Sequence, residues 1–390
     1  MENLEHFLDS KPLYYQEIDH ERIKVAYGVL KPHIKHPRTV HIVGTNGKGS
    51  TGRIVAYLAY KSGLNVGHYS SPHIMKFNER IWLNGEDASV EVLETAHQKL
   101  FPILGRELSE ALSYFEYTTL LALVVFEHVD LMVLEAGLGG EHDATNVCDK
   151  ELSIITPIGL DHQAFLGDTI SQIAATKIRS IQKAALIAPQ IHEEVITIAK
   201  EIASEKKAKL FLSSDLPEDI RTVQNLKEIA RQKGWGAYLA DNAMVSLQAL
   251  DIMGIPYRLD DLLGIELFGR FYLWRKNVRI DVGHNPLAAS AIEKALDHKV
   301  VLIYNSLDDK DYEEVLRRLR PKVKRVEIIP IYSQRATTIF KIEEALQKVG
   351  LPYSYFEGKI EDDERYLVFG SFYVVEAFLK ELKIKNEKLM

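Results

Sequence analysis

The first clear signal along the chain is a change of hydrophobic period. Val40–Val43 is a short β-branched run closed by Gly44 and reads as a buried strand. From Ser50 to Tyr60 the apolar residues Ile54, Val55, Leu58 and Ala59 recur at helical spacing, and Ser62-Gly63 is a helix stop. Leu64–Tyr69, Leu131–Glu135, Leu152–Pro157 and Ala185–Ala188 read as further strands, and Thr118–Glu127 as a helix. Thr169 with Gln172 has the form of a capping box opening a helix through Lys183. Such alternation implies a mostly parallel sheet with helices on both faces. Between Leu210 and Gln232 the pattern is more polar and less regular. Asp241–Met253 reads as a helix, and "GIELFGRFYLW" (264–274) as short strands around a glycine turn. The alternation then restarts: strands Val300–Tyr304, Val326–Ile331 and Tyr366–Phe369 with helices Tyr312–Leu319, Ile342–Val349 and Phe372–Leu382, and a frayed tail KIKNEKLM. The predicted architecture is α/β, a large mostly parallel domain (1–267) followed by a smaller Rossmann-like α/β domain (268–390).

Length and composition agree with that division. A chain of 390 residues exceeds one typical core. The formal net charge of -7 argues against broad nucleic-acid binding. Cys148 is the single cysteine, which excludes an intramolecular disulfide and a multi-cysteine zinc site and fits a reducing cytosol. The start MENLEHFLDSKPLYY has no basic segment followed by an apolar run, so no secretory signal is expected. The longest apolar stretch, TLLALVVFEHVDLMVLEAG, is broken by Glu127, His128 and Asp130 and is not a membrane span, which takes about 20 mostly apolar residues.

The chemistry enters at "HIVGTNGKGST" (41–51). The standard phosphate loop is G-x-x-x-x-G-K-[ST]. Here Thr45 and Asn46 alone separate Gly44 from Gly47, and Gly49 splits Lys48 from Ser50. The stretch is therefore either a phosphate loop of unusual spacing or a strand-to-helix turn with an exposed lysine. The strand before it and the helix after it are the context a phosphate loop needs, because backbone N–H groups at a helix N-terminus face an anion. Lys48 would add a point charge, and Ser50 a hydroxyl for Mg²⁺. Ser71 ("SSPH"), Glu135 (before Gly-Leu-Gly-Gly) and His162 ("PIGLDH") each follow a predicted strand, on the edge where ligands gather in open α/β sheets. Hydroxyl, carboxylate and imidazole together are a candidate divalent-metal site, although imidazole is an unusual Mg²⁺ ligand.

Six segments then occur in one order: "GTNGKGST", "SSPHIMKFNERI", "YFEYTTLLAL", "EAGLGGEHDATN", "TPIGLDHQAFLGDTISQIAATK" and "IDVGHNP". In this the chain resembles folylpolyglutamate synthase and dihydrofolate synthase, of the Mur ligase superfamily, from about residue 18 to 380. Gly49 is the folate-ligase form of the loop; close Mur relatives place threonine directly after the lysine. The resemblance implies an ATP-dependent ligase that phosphorylates an acceptor carboxylate and lets the amine of L-glutamate displace the phosphate. The acceptor would be dihydropteroate, giving dihydrofolate, or the γ-carboxylate of a reduced folate. It implies ATP bound by Thr45, Asn46, Gly47, Lys48, Gly49 and Ser50, its phosphates on Gly47–Ser50, and further nucleotide contacts from Asn242, Arg270, Asp281 and His284, the last two requiring the domains to close. It implies Mg²⁺ on Ser71 and Glu135, and a second ion on His162 with Glu135. Lys177 stands at the spacing of a lysine that becomes carbamylated and, with Lys48 and His284, would be catalytic. The pterin would lie near Glu17–Ile23, Phe115, Thr118, Asp143, Thr145 and Asn146. The resemblance also implies a cytoplasmic monomer without nucleic-acid or membrane partners. Three departures stand out: Glu141 and His142, where family members commonly carry arginine and leucine, and Lys177-Ile178-Arg179, where the family continues Lys-Ala-Gly-Ile. A single-activity enzyme, a cell-wall amino-acid ligase and a nucleotide-gated binding module without turnover are the alternatives.

Overall fold

The computed structural model describes residues 2–11, 19, 21–217 and 219–388, with side chains as far as residue 383. Two compact units form. The first comprises Met1–Asp219 with Asn242–Leu262, and the second Ile220–Asp241 with Leu263–Met390. The units therefore do not follow one cut in the sequence.

The first unit is built on eight strands: β1 (Arg38–Val43), β2 (Val66–Tyr69), β3 (Ile81–Leu83), β4 (Glu86–Asp87), β5 (Leu131–Glu135), β6 (Leu152–Ile155), β7 (Ala184–Ile187) and β8 (Lys209–Leu212). Their order is β4-β3-β2-β5-β1-β6-β7-β8. β3 pairs antiparallel with β2 and with β4, and the other pairs are parallel. The central strands are buried along their length, as a sheet covered on both faces requires. Strand alternation assigns the faces. Ile42 and His68 face the helix Lys48–Lys61, where a Cβ on Gly52 would lie 2.7 Å from His68 Nε2 and 3.5 Å from Ile42. Tyr69 and His41 point to the other face, where Tyr69 meets Thr118 of the helix Tyr114–Val125.

The second unit carries β9 (Tyr272–Arg275), β10 (Val278–Ile280), β11 (Val300–Tyr304), β12 (Val323–Ile328), β13 (Tyr353–Tyr355) and β14 (Tyr366–Phe369), in the order β13-β12-β11-β14-β10-β9. Only β9 runs antiparallel, against β10.

The segment read as polar and irregular, 210–232, contains strand β8 and the helix Ile220–Lys233. That helix buries only Leu226, Ile229 and Ala230, a stripe too narrow to stand out among charged residues. The helix opened by Thr169 and Gln172 has its capping box, and it stops at Ile178 instead of Lys183. The last helix runs from Phe372 to Lys388, beyond Leu382. Among the described residues no helix is long and apolar enough to cross a membrane.

Candidate functional site

The loop Gly44–Ser50 leaves the end of β1 and enters a helix at Lys48, with Gly47 in the left-handed conformation as its N-cap. Two contacts make glycine necessary here. A Cβ on Gly44 would lie 1.9 Å from Thr156 Oγ1, and one on Gly47, at φ 88°, would lie 2.9 Å from Asn242 Oδ1. Thr45 and Asn46 both donate their backbone N–H to Pro157 O, at 3.0 and 3.2 Å. The first intrahelical bond is Thr51 N to Gly47 O. The amides of Lys48, Gly49 and Ser50 are thus the ones this helix end directs at a ligand. Lys48 Nζ lies over the loop, donating to Gly44 O and Thr45 O at 3.2 Å each. Asn242 Nδ2 donates to Ser50 Oγ at 2.8 Å, and Ser246 Oγ to Thr51 O, so the helix Ala237–Met253 braces the loop.

Glu135 ends β5, Ser71 follows the end of β2 at Tyr69, and His162 lies further on in the loop after β6, which ends at Ile155. With Gly44 they occupy one edge of four adjacent strands, β2-β5-β1-β6. The Glu135 carboxylate is buried. His162 adopts φ 53° and ψ 39°, a left-handed conformation that costs a non-glycine residue roughly 1–3 kcal/mol and is found at functional turns. Its backbone N–H is held by Asp161 Oδ1 at 2.9 Å. Asp161, a second buried acid on this edge, was not singled out by sequence, although it adjoins His162 in "LDH". Among the described residues no three His, Cys, Asp or Glu side chains form a metal cage. Hydroxyl, carboxylate and imidazole at adjoining strand ends do fit an ion that keeps water and phosphate oxygens as its remaining ligands, as Mg²⁺ does.

Lys177, on the helix Ile170–Ile178, is buried and donates to Gly44 O at 3.0 Å. Burial, assisted by the Lys48 charge, lowers its pKa to about 7. The loop 136–147 packs on this same helix. A Cβ on Gly140 would meet Lys177 O at 2.5 Å, and Glu141 N donates to Thr176 O. Arg179 Nη1 lies 3.7 Å from Glu141 Oε2 at this contact.

Asp143 caps the 3₁₀ turn Ala144–Val147. Its Oδ2 accepts from Leu138 N at 2.8 Å, and its Oδ1 from Thr145 N at 2.9 Å and Thr145 Oγ1 at 2.5 Å. Burial raises its pKa against those bonds. Thr145 is itself buried and meets His41 Nε2 at 2.8 Å. The hydroxyl proton goes to Asp143, so His41 Nε2 must be the donor to Thr145. Asn146 donates to Glu141 O at 2.7 Å and accepts from the buried Lys150 ammonium. Phe115 stacks on Tyr69 (centroids 5.8 Å apart) and covers Gly137, where a Cβ would clash at 2.6 Å. Thr118 is wholly buried, 2.9 Å from the Tyr69 hydroxyl. Thr118 and Thr145 therefore set the positions of Tyr69 and Asp143. Of the predicted Glu17–Ile23 segment, Glu17, Ile18 and His20 lie outside the described residues, while Arg22 pairs with Glu116 at 2.8 Å.

In the second unit Asp281 follows β10. Its Oδ2 accepts from Phe271 N at 2.8 Å and Tyr238 Oη at 3.0 Å, and its Oδ1 from Gly283 N at 2.7 Å. His284 Nδ1 lies 3.2 Å from Val282 O. Arg270 donates to Gly269 O and stacks over Phe372.

A braced glycine loop at a helix N-terminus, with a carboxylate, an imidazole and a buried low-pKa lysine along one edge of a parallel sheet, is the arrangement of a nucleotide-binding α/β protein. No protein-family model matches the chain. The dihydrofolate synthase/folylpolyglutamate synthase of Buchnera aphidicola (subspecies Schizaphis graminum) is 31% identical, over 89% of this chain and 88% of its own. Among solved structures, folylpolyglutamate synthetase from Helicobacter pylori superimposes with a TM-score of 0.79 at 38% identity, over 98% of both chains. FolC from Escherichia coli in complex with DHPP and ADP gives 0.82 at 25%, over 99% of both. The chain belongs to the dihydrofolate synthase/folylpolyglutamate synthase family.

Proposed function

We propose that this chain joins L-glutamate to dihydropteroate, forming dihydrofolate, and to the γ-carboxylate of reduced folates, using ATP and passing through an acyl phosphate. The observation that carries the reading is the phosphate loop flanked by Ser71, Glu135 and His162 on adjacent strand ends. A carboxylate is a poor electrophile because oxide would have to leave; once phosphorylated, it loses phosphate when the glutamate amine attacks. Lys48 and the helix-end amides hold the nucleotide phosphates and offset their charge as the acceptor carboxylate approaches. Ser71 with Glu135, and Glu135 with His162, would hold divalent cations, which when bound would supply the remaining neutralisation between two anions that must meet. Thr45 and Asn46 shape the loop, and Asn242, Arg270, Asp281 and His284 are assigned to the nucleotide. The larger 1–267 part is assigned ATP and pterin, and the 268–390 part glutamate ligation.

Lys177 is assigned carbamylation. A lysine with a pKa of about 7 is substantially a free amine at neutral pH. Its lone pair forms an N–C bond to CO₂ as one C=O π bond opens, and one N–H proton leaves to water, which turns the neutral amine into a carbamate anion. The pterin is assigned to Phe115 and Asp143, held by Thr118, Thr145 and Asn146. The enzyme is assigned to the cytoplasm and to a monomer.

The test is a paired ligation assay of the purified chain with ATP, Mg²⁺ and labelled glutamate, using dihydropteroate and tetrahydrofolate in parallel. Label in both products, with ADP and phosphate released, is expected. Absence of ligation with both acceptors would sink the reading, and turnover of a nucleotide-sugar acceptor instead would favour a cell-wall ligase.

A further inference from the structure

The segment "SSPHIMKFNERI" leads from Ser71 to an arginine that the reaction above does not use. Arg80 ends the 3₁₀ turn Phe77–Arg80, and its carbonyl is tied to Ser70 N at 2.9 Å, beside the end of β2. Its side chain is buried, with 8% of the residue exposed. Among the described residues the guanidinium has no carboxylate partner. Its Nε donates to His73 Nδ1 at 2.8 Å, and its plane lies over the Tyr114 ring at 5.2 Å. The nearby acids are engaged elsewhere. Glu79 accepts from the backbone amides of Ile74, Met75 and Lys76, and Glu116 from Ser113 N and Arg22. A guanidinium has five N–H donors, and here one is used. A buried cation without an anion is costly, so the arrangement calls for an anionic ligand. The wall around it is aromatic: Tyr114 contacts Phe77 edge-on, and Tyr69 stacks on Phe115.

We propose that Arg80 binds the acceptor carboxylate that does not react, the α-carboxylate of a folate's glutamyl tail. This rests on the function proposed above. A planar fork grips a carboxylate through two parallel bonds and draws off its charge. On the reacting carboxylate that grip would weaken its attack on the γ-phosphate, because ground-state binding opposes the step. On a carboxylate that stays anionic throughout, it costs nothing. Dihydropteroate has only the reacting carboxylate, whereas a folate has both. Arg80 therefore separates the two acceptors.

The experiment uses the full chain with Arg80→Gln and Arg80→Lys, measuring glutamate incorporation on tetrahydrofolate and on dihydropteroate. For Arg80→Gln the KM for tetrahydrofolate should rise about 10²-fold with kcat little changed, while the KM for dihydropteroate stays within about threefold. Arg80→Lys should recover part of the loss. Dihydropteroate turnover by the same preparation reports that the variant is folded. Should the variants not fold, wild-type enzyme is given tetrahydrofolate carrying a primary amide at the α-carboxyl, and a comparable rise in KM is expected. Equal losses on both acceptors, unchanged KM for tetrahydrofolate, or an α-amide that binds as well as the acid would each overturn the proposal. So would a wild-type enzyme that ligates dihydropteroate and never folate. Wild-type enzyme inactive on both would instead remove the function on which the proposal stands.

Discussion

Replacing Lys177 by methionine removes a buried ammonium while keeping most of its volume. Its pKa falls from 10.5 to about 7 on burial. For a basic group depressed in the folded state, the unfolded chain holds the proton more tightly between those values, so stability rises with pH across that window. At pH 6 the lysine costs the fold about 5 kcal/mol, at pH 9 about 2 kcal/mol, so it contributes a pH-dependent difference of about 3 kcal/mol. Methionine carries none of this. Hydrogen exchange of the β1 and β5 amides in CO₂-free buffer reads the stability of the first unit directly. Wild-type protection should climb from pH 6 to pH 9 by about 3 kcal/mol more than that of Lys177→Met, with the variant the more protected at pH 6. Adding bicarbonate should stabilise the wild type alone. If the two proteins keep parallel pH profiles to within about 1 kcal/mol, Lys177 does not hold a depressed pKa and the case for a free amine at this position falls.

Lys48→Ala should lower kcat by about 10²–10³, the usual cost of one transition-state charge donor, and near-normal turnover would count against the loop assignment. Gly140→Ala should force the loop 136–147 off the helix Ile170–Ile178, since its Cβ would meet Lys177 O at 2.5 Å; a loss of about 1–3 kcal/mol in stability is expected by denaturant unfolding, and a neutral result would refute the close packing. A double-mutant cycle on Glu141 and Arg179 should return a coupling below about 1 kcal/mol that vanishes in high salt, because the pair is partly exposed.

What could be read from the sequence follows from burial. Leu131–Glu135, Val300–Tyr304 and Tyr366–Phe369 are central strands whose residues are all buried; the last two show as unbroken apolar runs with the observed ends, and the first as an apolar run closed by Glu135. That Gly44, Ser71, Glu135 and His162 follow four adjacent strands was legible because strand ends in a parallel sheet are themselves legible. The helix Ile220–Lys233 was hidden by its narrow apolar stripe, and Val90–Ala111 carries Pro102 and a non-helical Gly105 inside it. The return of 220–241 to the second unit has no local signal at all. The same holds within the site. Arg80 reads as an ordinary turn arginine until its burial and the other commitments of Glu79 and Glu116 are known, and His41 as a strand residue until it meets Thr145.

The packing of Gly140 on the Lys177 backbone bears on how this enzyme can be recombined with its relatives. The acceptor loop and the lysine helix share one contact surface, and the Glu141–Arg179 pair lies on it. Glu141→Arg would set two like charges against each other at that surface. Exchanging 136–147 together with 176–179 keeps the surface intact, so these two stretches form a single cassette for recombination.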